Sequence, residues 1–157
     1  MQYLHRMDSA GFLAAHRAAV YAAIDLGTHN CRMLVAKPDR AQLFRVVRSF
    51  SRAVRLGEGL AARGILAEAA IGRAIEALKD CVDSLQATTS AQKSTTLRVR
   101  SIATEPCRRA ANASAFIRRV AKETGLALES VRLNSQTKYD TGDVWDRHGN
   151  AIQAPRT

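Results

Sequence analysis

Two short stretches of this chain carry residues suited to holding a phosphate. The first is Asp25-Leu26-Gly27-Thr28-His29-Asn30-Cys31-Arg32. An acidic residue ends an apolar run, a glycine turns the chain, and hydroxyl and amide side chains follow. Glycine lets an anion come close to main-chain N–H groups, and successive turn N–H groups form an anion nest. Asp25 is placed to hold Mg²⁺ through water, the metal bridging phosphate oxygens. The same eight residues also suit an ordinary hairpin with Asp-Gly turn chemistry. The second stretch is Ile102-Ala103-Thr104-Glu105-Pro106-Cys107-Arg108-Arg109. Thr104 stands where it caps a helix, and a helix N-terminus attracts anions through its free N–H groups and dipole. Pro106 suits a first helical turn. Arg108 and Arg109 follow within that turn and offer forked hydrogen bonds to a phosphate. A capped surface helix with solvated arginines accounts for the same residues.

The elements around these stretches follow from hydrophobic period. Tyr21–Leu26 and Cys31–Ala36 read as buried strands joined by the tight Gly27–Asn30 connection. Pro38-Asp39-Arg40 is the next turn, and Gln42–Phe50 a third strand with Phe44, Val46 and Phe50 on one face. Ser51–Gly64 is a glycine-bearing connection. Ile71, Ala74, Ile75, Leu78, Val82 and Leu85 then recur at helical spacing, predicting an amphipathic helix over Ala67–Leu85 on which Arg73 is a solvated cation. Gln86–Thr96 reads as a loop and Leu97–Ile102 as a strand. A short helix over Thr104–Asn112 and a second over Ala113–Thr124, stopped by Gly125, precede a last strand at Leu126–Val131. The order β-β-β-α-β-α-β, a meander passing into strand–helix alternation, is an α/β arrangement. Residues 132–157 show no apolar period and are expected to form a divergent tail, disordered or out of register with what precedes. Asp140, Asp143, Asp146 and His148 in it are expected to be solvated, because an unstructured metal site must supply its own ordering entropy.

With 157 residues and 46% hydrophobic content, one folded domain is the expectation. Residues 1–20 are set apart as an N-terminal extension, since His5, Arg6, Asp8, His16 and Arg17 interrupt any signal-peptide core. No apolar run approaches the roughly 20 residues of a membrane helix, so no membrane partner is expected. The net charge of +10 fits a polyanionic partner, nucleic acid or polyphosphate included, or else a solvated basic surface. Cys31, Cys81 and Cys107 have no metal-ligand spacing and are expected to be reduced thiols of a cytoplasmic protein, with no zinc site.

Taken together, four collinear pieces resemble the exopolyphosphatase/guanosine pentaphosphatase (Ppx/GppA) family. They are Ala22–Thr28, Asn30–Val35, Phe50–Leu60 and Ile102–Asn112, with further similarity through Phe116–Gly125 and Leu126–Glu129. The similarity covers about Tyr21 to Val131. It implies an actin-like, ribonuclease-H-like lobe, here the N-terminal part only, of the kind shared with actin and the sugar kinases. It also implies release of terminal phosphate from polyphosphate or guanosine pentaphosphate by water attack, with Mg²⁺ as cofactor. Gly27, Thr28, Asn30 and Arg32 would then belong to the first phosphate loop, with Asp25 toward the metal, and Thr104, Glu105 and Arg108 would line the cleft opposite.

The chain also departs from that family. Family members follow the strand matching Leu126–Glu129 with a glutamate-rich segment holding the general base. Here the place reads Ser130-Val-Arg-Leu-Asn-Ser-Gln136, and no glutamate occurs after Glu129. A second Asp-x-Gly-Gly-Gly phosphate loop is missing, since Asp140-Thr141-Gly142 follows a polar stretch that cannot be a buried strand. His29 stands where asparagine or a small polar residue is expected. The expectation is therefore a truncated, inactive fragment of such a hydrolase, with Glu105 as the remaining candidate for a base. The alternative is a non-enzymatic module binding polyanions or nucleic acid. An incomplete lobe would leave apolar surface uncovered, and self-association through it is expected.

Overall fold

Val20, Ala22, Ile24 and Leu26 alternate with Tyr21, Ala23 and Asp25, so the first strand has one apolar face, and that face is fully buried. A computed structural model describes residues 19–39, 43–93, 96–130, 144–145 and 151–152. Strand β1 (Ala19–Leu26) pairs antiparallel with β2 (Asn30–Asp39), and β2 pairs antiparallel with β3 (Leu43–Ala53). On the other side, β4 (Thr96–Ala103) runs parallel to β1, and β5 (Leu128–Ser130) runs parallel to β4. The order β3-β2-β1-β4-β5 makes one mixed sheet, the α/β lobe expected from the sequence.

Among the described residues four helices accompany the sheet: α1 (Leu60–Arg63), α2 (Glu68–Ala91), α3 (Glu105–Arg109) and α4 (Ala113–Thr124). The long helix α2 lies on β1, β2 and β3 and packs beside α4. Its buried stripe is Ala70, Ile71, Ala74, Ile75, Ala77, Leu78, Cys81 and Leu85. Alanines in that stripe let the helix sit close to the sheet, where Ile24, Cys31, Met33 and Val35 fill the core with Phe116 and Val120 of α4. Gly125 ends α4 in the left-handed conformation, φ 74°, with its N–H donating to Ala121 O at 3.0 Å. Among the described residues no helix is long and apolar enough to cross a membrane.

The structure departs from the sequence reading at several points. The third strand does not keep Phe44, Val46 and Phe50 on one face. Val35 pairs with Arg48 while Ala36 pairs with Val46, so Val47 is an extra residue, a β-bulge. Phe50 therefore faces the helices, whereas Phe44 and Val46 face away from them. Pro38 and Asp39 are strand rather than turn, paired with Phe44 and Leu43. Helix α2 runs on to Ala91 through residues read as loop. The Thr88 and Thr89 hydroxyls donate to the carbonyls of Ser84 and Leu85, so they are satisfied within the helix. Strand β5 is only three residues long. Within 132–157, read as lacking regular elements, Val144–Trp145 (β6) pairs antiparallel with Ala151–Ile152 (β7). Asp140, Asp143, Asp146 and His148, like residues 1–18, lie outside the described residues.

Candidate phosphate site

The two stretches with phosphate chemistry are 78 positions apart at Leu26 and Thr104, yet they meet. Parallel pairing of β1 with β4 sets Leu26 opposite Ala103, so both strands end at the same edge of the sheet. The Thr104 N–H donates to Leu26 O at 3.1 Å and its hydroxyl donates to the same oxygen at 3.4 Å. A Cβ on Gly27 would lie 4.0 Å from Thr104 Oγ1. Carboxyl ends of parallel strands, where the strand order reverses, are the usual ligand position in open α/β sheets.

The β1–β2 turn is closed by the Gly27 N–H donating to Asn30 O at 2.9 Å. Thr28 and His29 form its tip without positive φ, so this is not a primed hairpin turn of the Asp-Gly kind. It is held from outside instead. The N–H groups of Val54 and Arg55 both donate to His29 O, at 2.8 and 2.9 Å, and that of Gly57 donates to Thr28 O at 3.0 Å. Gly57 also lies against the Thr28 methyl, where an added Cβ would be 2.4 Å from Cγ2. The carbonyls of the turn are thus consumed by the segment after β3, and the Thr28 and His29 N–H groups take no part in these bonds. The far end of the same segment reaches the second stretch. Gly64 O accepts from the Ala111 N–H at 2.9 Å, and Leu66 is bound by Asn112.

The predicted residues fall into two groups. Gly27, Thr28 and Thr104 are brought together at the strand ends, with the half-buried Asn30 closing the turn. Asp25 and Arg32 are direct cross-strand partners on the face away from the helices. They continue a row across the sheet from Ser51 through Arg32, Asp25 and Ile102 to Glu129. Arg32 is exposed; Asp25 is half-buried, and its Oδ1 is buried with no hydrogen-bond partner among the described residues. Arg108 is half-buried on α3.

Two expectations are corrected, the capping role of Thr104 and the solvation of Arg73. Thr104 makes no side-chain cap on α3, because its hydroxyl is turned to Leu26 O. Glu105, the candidate base, is exposed and engaged by Arg109 Nη1 at 2.9 Å, an i,i+4 pair on one helix face. Arg73 is not the solvated cation expected: its Nε donates to Val54 O at 2.9 Å and its Nη2 to Glu58 Oε2 at 2.7 Å. Gly57, Glu58 and Arg73 are the supporting residues that the sequence reading missed; the Leu56-Gly57-Glu58-Gly59 run was the signal for the first two.

Behind the turn, Cys31 Sγ lies 4.0 Å from Cys81 Sγ of α2, and all three cysteines are free and buried. The hydrogen bond to Cys81 and burial push the Cys31 thiol up. Burial pushes Cys107 up to about 11.

Comparison with known proteins matches the profile of the Ppx/GppA phosphatase family to residues 34–145. The match runs past Val131, where the resemblance read from the sequence stops. A crystal structure of the Aquifex aeolicus Ppx/GppA family member is similar at 28% identity and TM-score 0.66, over 74% of this chain and 36% of that one. Its type II variant is similar at 28% identity and TM-score 0.65, over 75% and 37%. An exopolyphosphatase from Cytophaga hutchinsonii ATCC 33406 is similar at 25% identity and TM-score 0.63, over 71% and 34%. The chain thus spans little more than a third of the length of these relatives.

Proposed function

The chain belongs to the Ppx/GppA phosphatase family, and on that premise we propose that it binds the terminal phosphates of polyphosphate or guanosine pentaphosphate where the β1–β2 turn meets the β4–α3 turn, as the phosphate-holding lobe of a phosphoanhydride hydrolase. The observation that carries this reading is the pair of hydrogen bonds that the Thr104 N–H and hydroxyl donate to Leu26 O, which draws Gly27 and Thr104 to one point. The N–H groups of Thr28 and His29 are the donors on one side, and Arg108 supplies charge on the other. Arg32 adds a cation beside Asp25.

Asp25 fits a role toward Mg²⁺, because its buried Oδ1 lacks a protein partner among the described residues. Among the described residues no three His, Cys, Asp or Glu groups converge on a cation. Magnesium commonly takes one or two carboxylates and fills its remaining positions with water and substrate phosphate, so a single carboxylate suffices. Bound there, it would offset charge on the phosphoryl oxygens.

Turnover by these residues alone is a different matter. No glutamate follows Glu129, and Glu105 is tied to Arg109. Residues 1–157, as given, are therefore read as holding phosphate without themselves supplying a base for its cleavage. Its free, buried thiols support a reducing, cytoplasmic setting.

The test is a titration with tripolyphosphate and with guanosine pentaphosphate in Mg²⁺, alongside an assay of released phosphate. Binding is expected, weakened about tenfold by Thr104→Val combined with Asp25→Ala, given ~1.5 kcal/mol or more for bonds to charged groups. Release is expected at background. Unchanged affinity in the double variant overturns the site. Release that disappears in Asp25→Ala overturns the absence of turnover, and Glu105→Gln then shows whether Glu105 is the base.

A further inference from the structure

Arg73 stands on α2, away from both phosphate stretches in sequence, and makes two directed bonds to one loop. Its Nε donates to Val54 O at 2.9 Å, and its Nη2 donates to Glu58 Oε2 at 2.7 Å. Val54 begins the run that grips the β1–β2 turn, and Glu58 directly follows it. The N–H groups of Val54 and Arg55 hold His29 O, and that of Gly57 holds Thr28 O. A guanidinium suits this task because its planar fork fixes two acceptors at a set spacing, which an ammonium does not.

The loop needs such a restraint. Arg55 has φ 47°, in the left-handed region that a residue with a Cβ disfavours. Conformations of this kind persist only where their surroundings over-determine them. Here the Arg55 N–H is fixed by His29 O on one side, and the loop is spanned by Arg73 on the other. Meanwhile the Arg73–Glu58 pair, although directed, lies at the surface, with side chains 41% and 58% exposed. Pairs so exposed contribute little to global stability. The bonds from Arg73 thus set geometry more than they hold the fold.

We infer that Arg73 is a positioning residue: through Val54 and Glu58 it fixes the loop that aims the Thr28 and His29 N–H groups. The consequence for phosphate rests on the reading in the preceding subsection, while the positioning itself does not.

The experiment follows amide hydrogen exchange and tripolyphosphate affinity in the full chain and in Arg73→Ala, Arg73→Lys and Glu58→Gln. In Arg73→Ala, exchange at Val54, Arg55 and Gly57 is expected to rise about tenfold, from the loss of one part-buried and one exposed bond. Exchange at Ile75 and Val120 in the core should stay unchanged. Tripolyphosphate affinity should fall several-fold, with Arg73→Lys and Glu58→Gln intermediate in both readouts. No local rise in exchange overturns the inference. A uniform rise across the chain also overturns it, since Arg73 would then merely hold the fold. A local rise without loss of affinity, where the wild type binds, removes the connection to the site. If the wild type does not bind tripolyphosphate, the functional reading falls and the exchange data alone decide the positioning role.

Discussion

The carboxamide of Asn112 engages both main-chain polar groups of Leu66: Oδ1 accepts from the Leu66 N–H at 2.8 Å, and Nδ2 donates to Leu66 O at 3.0 Å. One side chain thereby does what a β-bridge would do. It joins the connection between α1 and α2 to the junction of α3 and α4. Asn112→Ala leaves two half-buried groups unpaired and is expected to cost about 1–3 kcal/mol. Asn112→Asp keeps the acceptor, loses the donor, and sets a carboxylate against Leu66 O, so it should be no milder. Urea unfolding with an unchanged m-value checks both. A cost near zero for Asn112→Ala contradicts the bridge.

Gly57 and Gly72 give opposite predictions for the same substitution. A Cβ at Gly57 meets the Thr28 methyl at 2.4 Å, and a β-branched stub has little room to yield. Gly57→Ala should destabilise by about 1–3 kcal/mol and displace the turn. Gly72, inside α2, has nothing within 4 Å of an added Cβ. Gly72→Ala should stabilise by about 0.5–1 kcal/mol through helix propensity and reduced unfolded-state entropy. Thermal unfolding of the two variants should move in opposite directions.

Polyanion affinity should depend on Arg108 more than on an unrelated arginine. Arg73, engaged as it is, cannot serve as the reference. Arg118, exposed on α4, serves better. Arg108→Ala is expected to lose about 1.5–3 kcal/mol of binding, while Arg118→Ala loses a few tenths to about 1. Titration with long polyphosphate at two salt concentrations separates this difference from counterion release, which weakens all variants alike. Equal losses would leave only a diffuse basic surface.

The Cys31 and Cys107 thiols should be inert while the chain is folded. The Cys31 thiol is held up by its hydrogen bond to Cys81 and by burial, and Cys107 is pushed up to about 11 by burial. Both favour the neutral form at neutral pH, and the thiolate is the reactive species. A disulfide reagent at pH 8 is expected to label neither Cys31 nor Cys107 on the timescale on which it labels the urea-unfolded chain. Prompt labelling of Cys31 or Cys107 without denaturant contradicts the packing.

On the face of the sheet away from the helices, Leu34, Phe44 and Val46 are 43, 55 and 47% exposed. Exposed apolar groups clustered on one face promote association. Sedimentation is expected to show concentration-dependent self-association that Phe44→Lys and Val46→Lys weaken without lowering the unfolding midpoint. A strictly monomeric wild type at high concentration disproves it.

Much of the fold was legible in the sequence. Helix α4 spans Ala113–Thr124 as its apolar spacing and Gly125 indicate, and the three-strand meander follows from alternation. The meeting of the two stretches rested on the family resemblance, because alternation in β1 and β4 does not say that they pair. Other features had no local signature. Phe44, Val46 and Phe50 share parity, so a bulge at Val47 is invisible without the register of β2. Thr104 has the type and place of a cap, and only the nearby Leu26 carbonyl diverts its hydroxyl. Arg73 looks like any outward helix cation until its acceptors, Val54 O and Glu58, are placed beside it.

The parallel pairing of Ala19–Leu26 with Thr96–Ala103 has a kinetic consequence. The hairpins of β1, β2 and β3 close over short loops and can form early. Pairing of β1 with β4 instead closes a loop containing α1 and α2, and this high contact order makes it slow. Until it closes, Leu26 O has no Thr104 to receive and Gly27 faces water. The two halves of the phosphate site therefore come into being together, and late, as a product of the last large step of chain assembly rather than of either turn alone.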